Sequence, residues 1–323
     1  MRKRKWLAVG LAVCLLLAGL SGCAGQQRQL RVTLVLKTVT EVAEFWGTLL
    51  SGVEKAAAEY GVELKVLTAP REVDIDEQIE LIRQVTAEKP DVMILSASDY
   101  DRCAEATEEA IAAGIGVVAV DTDVNAAGRA CFVGSNNYEV GLEMGRAMAS
   151  YLPEGGKVAV IQHMLTTTTG IDRTRGVIDA LTNAGNIEIL GSFCCDNSTD
   201  RAQSLTKELL EQTSDISGFV CTNEVCNVGA ANALVELGMG GKVFVVGCDN
   251  SQRQIAFLEQ NIIQAIVTQR PFNMGYIAVQ QAVEVASGEK TADFVEVPCV
   301  LITRENMYTQ ENQKLLFPLT GES

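Results

Sequence analysis

Short, almost wholly apolar runs alternate with amphipathic helical stretches from residue 31 to about residue 270. This alternation constrains the fold more than any other feature of the 323-residue chain. Val32–Leu36, Val62–Leu67, Val92–Leu95 and Val117–Val120 read as strands. Between them, Phe45–Tyr60 places Leu49, Val53 and Ala57 on one helical face, and Ile75–Ala87 does the same with Ile79, Ile82 and Val85. Cys103–Ala113 reads as a third helix, with Gly114 where a C-cap belongs. The second half repeats the pattern. Lys157–Ile161, Ile187–Leu190, Gly218–Cys221 and Lys242–Val246 are strand-like. Asp172–Ala184, Ala202–Gln212, Val225–Leu237 and Gln252–Asn261 are helical, and Gly238 again stands at a C-cap. Strands apolar on both faces, separated by helices, build parallel sheets covered on both sides. Such sheets bind ligands beyond the carboxyl ends of their strands, so the informative residues directly follow each strand.

Val117–Val120 ends in Asp121, and the run 243–248 ends in Asp249. Phe219–Thr222 ends in Asn223-Glu224, and Ala265–Thr268 ends in Gln269. These side chains exchange hydrogen bonds readily with a hydroxylated ligand. A lone Asp or Asn at such a place is more often a helix cap; four of them, spread over both halves, point to a site. After Val158–Ile161 a Thr-rich loop leads to Gly170-Ile171-Asp172-Arg173-Thr174-Arg175-Gly176. Arginine at a helix start opposes the helix dipole. Arg173 or Arg175 is therefore expected to have a partner, either a ligand oxygen or a surface carboxylate. Phe45-Trp46 opens the first helix. Adjacent aromatics there cannot both face the core, and a pair at a cleft can stack on the C–H faces of a sugar ring; the alternative places one of them in the core.

The amino terminus adds location. Arg2 to Lys5 are basic, Trp6 to Leu20 is a nearly unbroken apolar run, and Leu20-Ser21-Gly22-Cys23 resembles a lipobox. The run is short for a bilayer span. The expectation is a lipoprotein signal over residues 1–22, cleaved before a lipid-bearing Cys23, with a short tether over 23–30. An ordinary signal peptide or a short anchor is the alternative. The protein would then work outside the cytoplasm, tethered to the cell membrane.

Removing residues 1–22 takes away four basic residues and no acidic one, so the formal charge moves from -15 to -19. That charge repels nucleic acid, and no basic patch reverses it. Eight cysteines remain besides Cys14 and Cys23, and an exported protein could pair some of them. They include no Cys-x-x-Cys, and the lone His163 has no cysteine near it in sequence, so no metal and no cofactor is expected. Cys221 and Cys248 lie in apolar runs, where buried free thiols are expected.

Taken in order, Phe45-Trp46, Val118-Ala119-Val120-Asp121, Asp172-Arg173-Thr174-Arg175-Gly176, Cys221-Thr222-Asn223-Glu224, Val246-Gly247-Cys248-Asp249 and Thr268-Gln269-Arg270-Pro271 resemble the ribose/galactose-type (type I) periplasmic sugar-binding proteins, the solute-binding components of ABC importers. The resemblance covers residues 31 to about 300. It implies two Rossmann-like lobes with parallel sheets and the ligand cleft between them. The first lobe would be 31–134 plus 271–299, the second 135–270 plus 300–323, joined by three crossovers and closing by hinge motion. It also implies that Phe45 and Trp46 stack on a sugar, and that Asp121, Arg173, Asn223, Asp249 and Gln269 bind its hydroxyls. The sequence departs from the ribose binders where Val42-Ala43-Glu44 replaces Asn-Asn-Pro, where Thr199 replaces an aromatic, and where Trp46 replaces Phe. Ribose itself is thereby put in doubt, and Glu44 and Lys37 would alter polarity at the rim of the first lobe.

The function expected is a lipid-anchored, monomeric receptor that captures a sugar or polyol and delivers it to an ABC permease. The alternative is a ligand-sensing lipoprotein partnering a membrane receptor or histidine kinase. Both use the same closed form. An enzyme is not expected: one histidine, no Gly-x-Ser-x-Gly elbow and no phosphate loop are present. In place of the DNA-binding headpiece of regulators with this fold stands an export signal.

Overall fold

The computed structural model describes residues 28–38 and 44–317. The signal segment, Cys23, Val42 and Ala43 lie outside the described residues. Strands β1 (Arg31–Leu36), β2 (Glu63–Thr68), β3 (Val92–Leu95), β4 (Gly116–Val120), β5 (Cys131–Gly134) and β11 (Phe294–Glu296) form one six-stranded parallel sheet, in the order β11-β5-β4-β3-β1-β2. Strands β6 (Gly156–Gln162), β7 (Ile187–Cys194), β8 (Ile216–Cys221), β9 (Phe244–Cys248), β10 (Ala265–Thr268) and β12 (Val300–Thr303) form the other, in the order β12-β10-β9-β8-β6-β7. The two orders are the same doubly wound pattern, except that β12 runs antiparallel to β10. Central strands such as β3 are buried along their whole length, which is why they read as unbroken apolar runs.

Helices α1 (Glu44–Tyr60), α2 (Ile75–Glu88) and α3 (Ala104–Ala112) cover the first sheet. They are followed by α4 (Asn137–Tyr151), α5 (Thr168–Ala184), α6 (Thr199–Gln212), α7 (Glu224–Glu236) and α8 (Gln252–Glu259) in the second lobe. The chain then returns: α9 (Pro271–Ala286) packs against α1, and its Pro271 occupies the first turn, where a missing N–H costs nothing. A short α10 (Gln310–Leu316) closes the described chain. Between Glu296 and Val300 the chain crosses once more from the first sheet to the second.

Two helix pairs cross so closely that only glycine fits. A Cβ on Gly52 would lie 2.0 Å from the Phe272 carbonyl oxygen, and one on Gly275 2.1 Å from that of Leu49. In the second lobe a Cβ on Gly141 would lie 2.1 Å from the Arg173 oxygen, and one on Gly176 2.2 Å from the Tyr138 oxygen. These crossings fix α1 and α5, the helices that carry Phe45-Trp46 and Arg173. Among the described residues, all eight cysteines are free thiols, with Cys221 and Cys248 buried.

Candidate functional site

The carboxyl ends of both sheets face one another. The lobes touch on either side of a cavity: the Tyr100 amide donates to the Thr166 carbonyl (2.9 Å), the Asp123 amide to Thr168 Oγ1 (3.2 Å) and the Gln252 amide to Glu44 Oε1 (3.2 Å). The space left between the touching lobes is small, about 40 Å³ for a water-sized sphere. Phe45, Trp46, Asp121, Arg173, Asn223, Asp249 and Gln269 all line it.

Asp121 and Asp249 occupy equivalent places in the two lobes. Each follows the fourth strand of its sheet, with a left-handed backbone (φ 63° and 71°), and each amide donates across the sheet, to Val133 and Val267 respectively. Asp tolerates that conformation better than most residues. Asp121 caps no helix. Its Oδ2 lies 3.5 Å from Lys37 Nζ, which also lies 3.6 Å from Glu72 Oε2. Burial, opposed by Lys37 and Arg173, holds the Asp121 carboxyl above its ordinary pKa. Asp249 uses both oxygens: Oδ1 accepts from Gln269 Nε2 and Oδ2 from the Glu224 amide (3.0 Å).

Arg173 differs from the sequence expectation in one respect. Helix α5 begins at Thr168, capped by Thr167, so Arg173 sits in its second turn rather than at its start. The dipole cost therefore does not apply. Its burial is what demands a partner. The side chain is 2% exposed; Nε donates to Asn137 Oδ1 (2.9 Å), Nη1 donates to the Thr222 carbonyl (2.9 Å), and Asp249 Oδ1 lies 4.0 Å away. A guanidinium has five N–H donors, so these two bonds leave others for the cavity. Arg175 instead pairs with Asp172 on the surface.

Trp46 is both core and site. It packs among buried residues of the first lobe while lining the cavity, and its indole N–H donates to Glu72 Oε1 (3.1 Å). Phe45 is half-buried and meets it edge-on, with ring centroids 5.0 Å apart. Asn223 caps α7 through its Oδ1, and its Nδ2 donates to Asn197 Oδ1 (2.8 Å). The capping role and the cavity position coexist.

Lys37 is not at a rim. It is buried on the cavity wall, with its ammonium 5.0 Å from the Trp46 ring centroid. Glu44 is the exposed one, at the lobe–lobe contact. Sequence reasoning passed over Glu72, His163, Thr169, Asn197, Glu224 and Val225 as cavity residues. Glu224 was within reach, being next to Asn223 at a strand end. Glu72 follows β2 by four residues, and Asn197 sits in a left-handed turn, so neither carries a strand-end signal. His163 is locked between Thr222 Oγ1 (2.7 Å) and Thr169 Oγ1 (3.1 Å). Burial, with Arg173 and Lys37 nearby, holds its pKa well below the ordinary value, so the ring is neutral at pH 7.

Two doubly wound lobes closed over a polar cavity define a solute-binding protein of the type I periplasmic kind. The chain belongs to the periplasmic binding protein domain family, which it matches over residues 33–290. Members of this family bind solutes and do not transform them. The D-allose-binding periplasmic protein of Escherichia coli is 25% identical over 285 residues, 84% of this chain and 91% of that protein. The crystal structure of a sugar transporter from Clostridium phytofermentans is 30% identical, with a TM-score of 0.79, covering 85% of this chain and 99% of that one. A carbohydrate transporter solute-binding protein from Agrobacterium radiobacter, solved with D-arabinose, shares the fold at a TM-score of 0.86 and 22% identity, covering 90% and 100%.

Proposed function

We propose that the protein captures a sugar or related polyol outside the cytoplasm, holds it between its lobes and delivers it to the permease of an ABC importer. The observation that carries this reading is the convergence, from both lobes, of an aromatic pair and five polar side chains on one buried cavity. Phe45 and Trp46 offer faces for a sugar ring. Arg173, Asp121, Asn223, Asp249 and Gln269 offer donors and acceptors for hydroxyls, and charge-assisted bonds are the stronger among them. Relatives named for ribose and allose binding support the ligand class. The lobes are taken as 31–134 plus 271–299 and 135–270 plus 300–323, acting as a monomer.

A thermal-shift screen of the mature protein against pentoses, hexoses, inositols and other polyols tests the reading. A ligand at 100 times its Kd adds about 2.7 kcal/mol of stability when only the folded state binds it. Because Trp46, Arg173, Asp249 and Gln269 are buried when the lobes touch, ligand must enter an opened form. Small-angle scattering should therefore show compaction on ligand addition. A tight ligand that left the radius of gyration unchanged would count against closure.

Anchoring through a lipid on Cys23 belongs to the same proposal. The Cys23→Ala variant should accumulate as unprocessed precursor or leave the membrane fraction. Unchanged processing and fractionation would remove the anchor.

A further inference from the structure

The charges lining the cavity do not balance. Glu72, Asp121, Glu224 and Asp249 supply four carboxyl groups against the two cations Lys37 and Arg173. Lys37 lies between Glu72 and Asp121, and Arg173 stands beside Asp249. Among the described residues no cation pairs with Glu224. Glu224 is 6% exposed, lines the cavity, and its Oε2 has no hydrogen-bond partner among the described residues. A buried carboxyl oxygen without a partner is costly, and native proteins rarely keep one without a use.

The groups around Glu224 deepen the imbalance. Asp249 accepts from the Glu224 backbone amide, and Glu44 reaches across from the first lobe to the start of α8. Both are acidic. Ser251, from the loop before α8, supplies only a neutral hydroxyl. Among the described residues no group of three or more His, Cys, Asp or Glu is placed to hold a metal ion. A proton or a cationic ligand can supply the counter-charge.

We propose that the cleft takes a polyhydroxy ligand bearing a protonated amine, an amino sugar or amino polyol, whose ammonium seats against Glu224. This rests on the reading of the cleft as a carbohydrate site and narrows it. Without ligand, burial and the neighbouring Asp249 push the Glu224 carboxyl up to about 8, so at pH 7 it keeps its proton. An arriving ammonium displaces that proton to solvent and leaves a buried, hydrogen-bonded ion pair. A hydroxyl at the same place meets a neutral acid and gains less.

The experiment is calorimetric titration of wild-type protein and Glu224→Gln with paired sugars. D-glucosamine, D-galactosamine and D-mannosamine are set against glucose, galactose and mannose, their N-acetyl forms, and a series of neutral pentoses. At least one amine is expected to bind tenfold or more tightly than its hydroxyl parent and its N-acetyl form. In Glu224→Gln that ratio should fall to about one. Titrations in buffers of different ionisation heat should show about one proton released per amine bound at pH 7, and none for the parent sugar. If Glu224→Gln does not fold, the wild-type ratio and proton release decide. Neutral sugars binding as tightly as the amines, or a ratio unchanged in the variant, would overturn the inference and leave the carbohydrate site standing. Binding by neither series would overturn both.

Discussion

Arg173→Ala should damage stability and binding together, and the structure sets the scale of each. The guanidinium is buried, donates to Asn137 Oδ1 and to the Thr222 carbonyl, and lies 4.0 Å from Asp249 Oδ1. Unit charges at that distance attract by about 4 kcal/mol at an effective dielectric constant of 20. Truncation leaves Asp249 without its cation and two oxygens without their donor. Removing one member of a buried pair costs about 3–5 kcal/mol. At roughly 2–4 °C per kcal/mol, the melting temperature should fall by about 10 °C. Binding should weaken as well, because a lost charge-assisted bond in a buried site costs about 2–5 kcal/mol, a loss of about thirtyfold or more in affinity. Asp249→Asn in the same chain should recover part of the stability, since the stranded charge is then gone, but not the affinity. Differential scanning calorimetry and isothermal titration read the two effects. A variant melting within about 1 kcal/mol of wild type would refute the account of the buried charge. Wild-type affinity in a destabilised variant would make Arg173 a structural residue and remove it from the site.

Other outcomes are equally specific. Lys37→Met leaves Glu72 and Asp121 buried without their shared cation and should cost about 3–5 kcal/mol; adding Glu72→Gln should return part of it in urea unfolding, and additive losses would refute the pairing. Glu224 gives a pH signature. Burial first, then Asp249, raise its pKa from 4.5 to about 8, so the folded state holds the proton more tightly than the unfolded chain. Its contribution is fully present below about pH 4.5 and is lost as pH rises to 8; wild type should lose a few kcal/mol relative to Glu224→Gln across that window. Parallel pH–stability curves for the two would sink this. Gly176→Ala puts a methyl 2.2 Å from the Tyr138 carbonyl oxygen, a backbone atom that cannot swing away. It should cost about 3 kcal/mol, and an unchanged unfolding midpoint would show that α4 and α5 can separate freely.

Much of the fold was written locally. Burying both faces of a parallel strand demands an unbroken apolar run, and covering it demands an amphipathic helix, so the β–α alternation could be read residue by residue. Because such sheets present their carboxyl edge to ligands, Asp121, Asn223, Asp249 and Gln269 followed from position alone. Helices α4 and α9 escaped the same reading. Glycines at their close crossings, Gly141 and Gly145 in α4 and Gly275 in α9, interrupt the apolar stripe on each buried face. What the sequence could not hold was juxtaposition. Lys37 sharing Glu72 and Asp121, and Arg173 meeting Asn137 and Asp249, are contacts between segments about 35 to over eighty residues apart. Periodicity reports only which face of an element is buried. Which side chains then meet, and whether their charges cancel, is decided by how the two lobes pack and close.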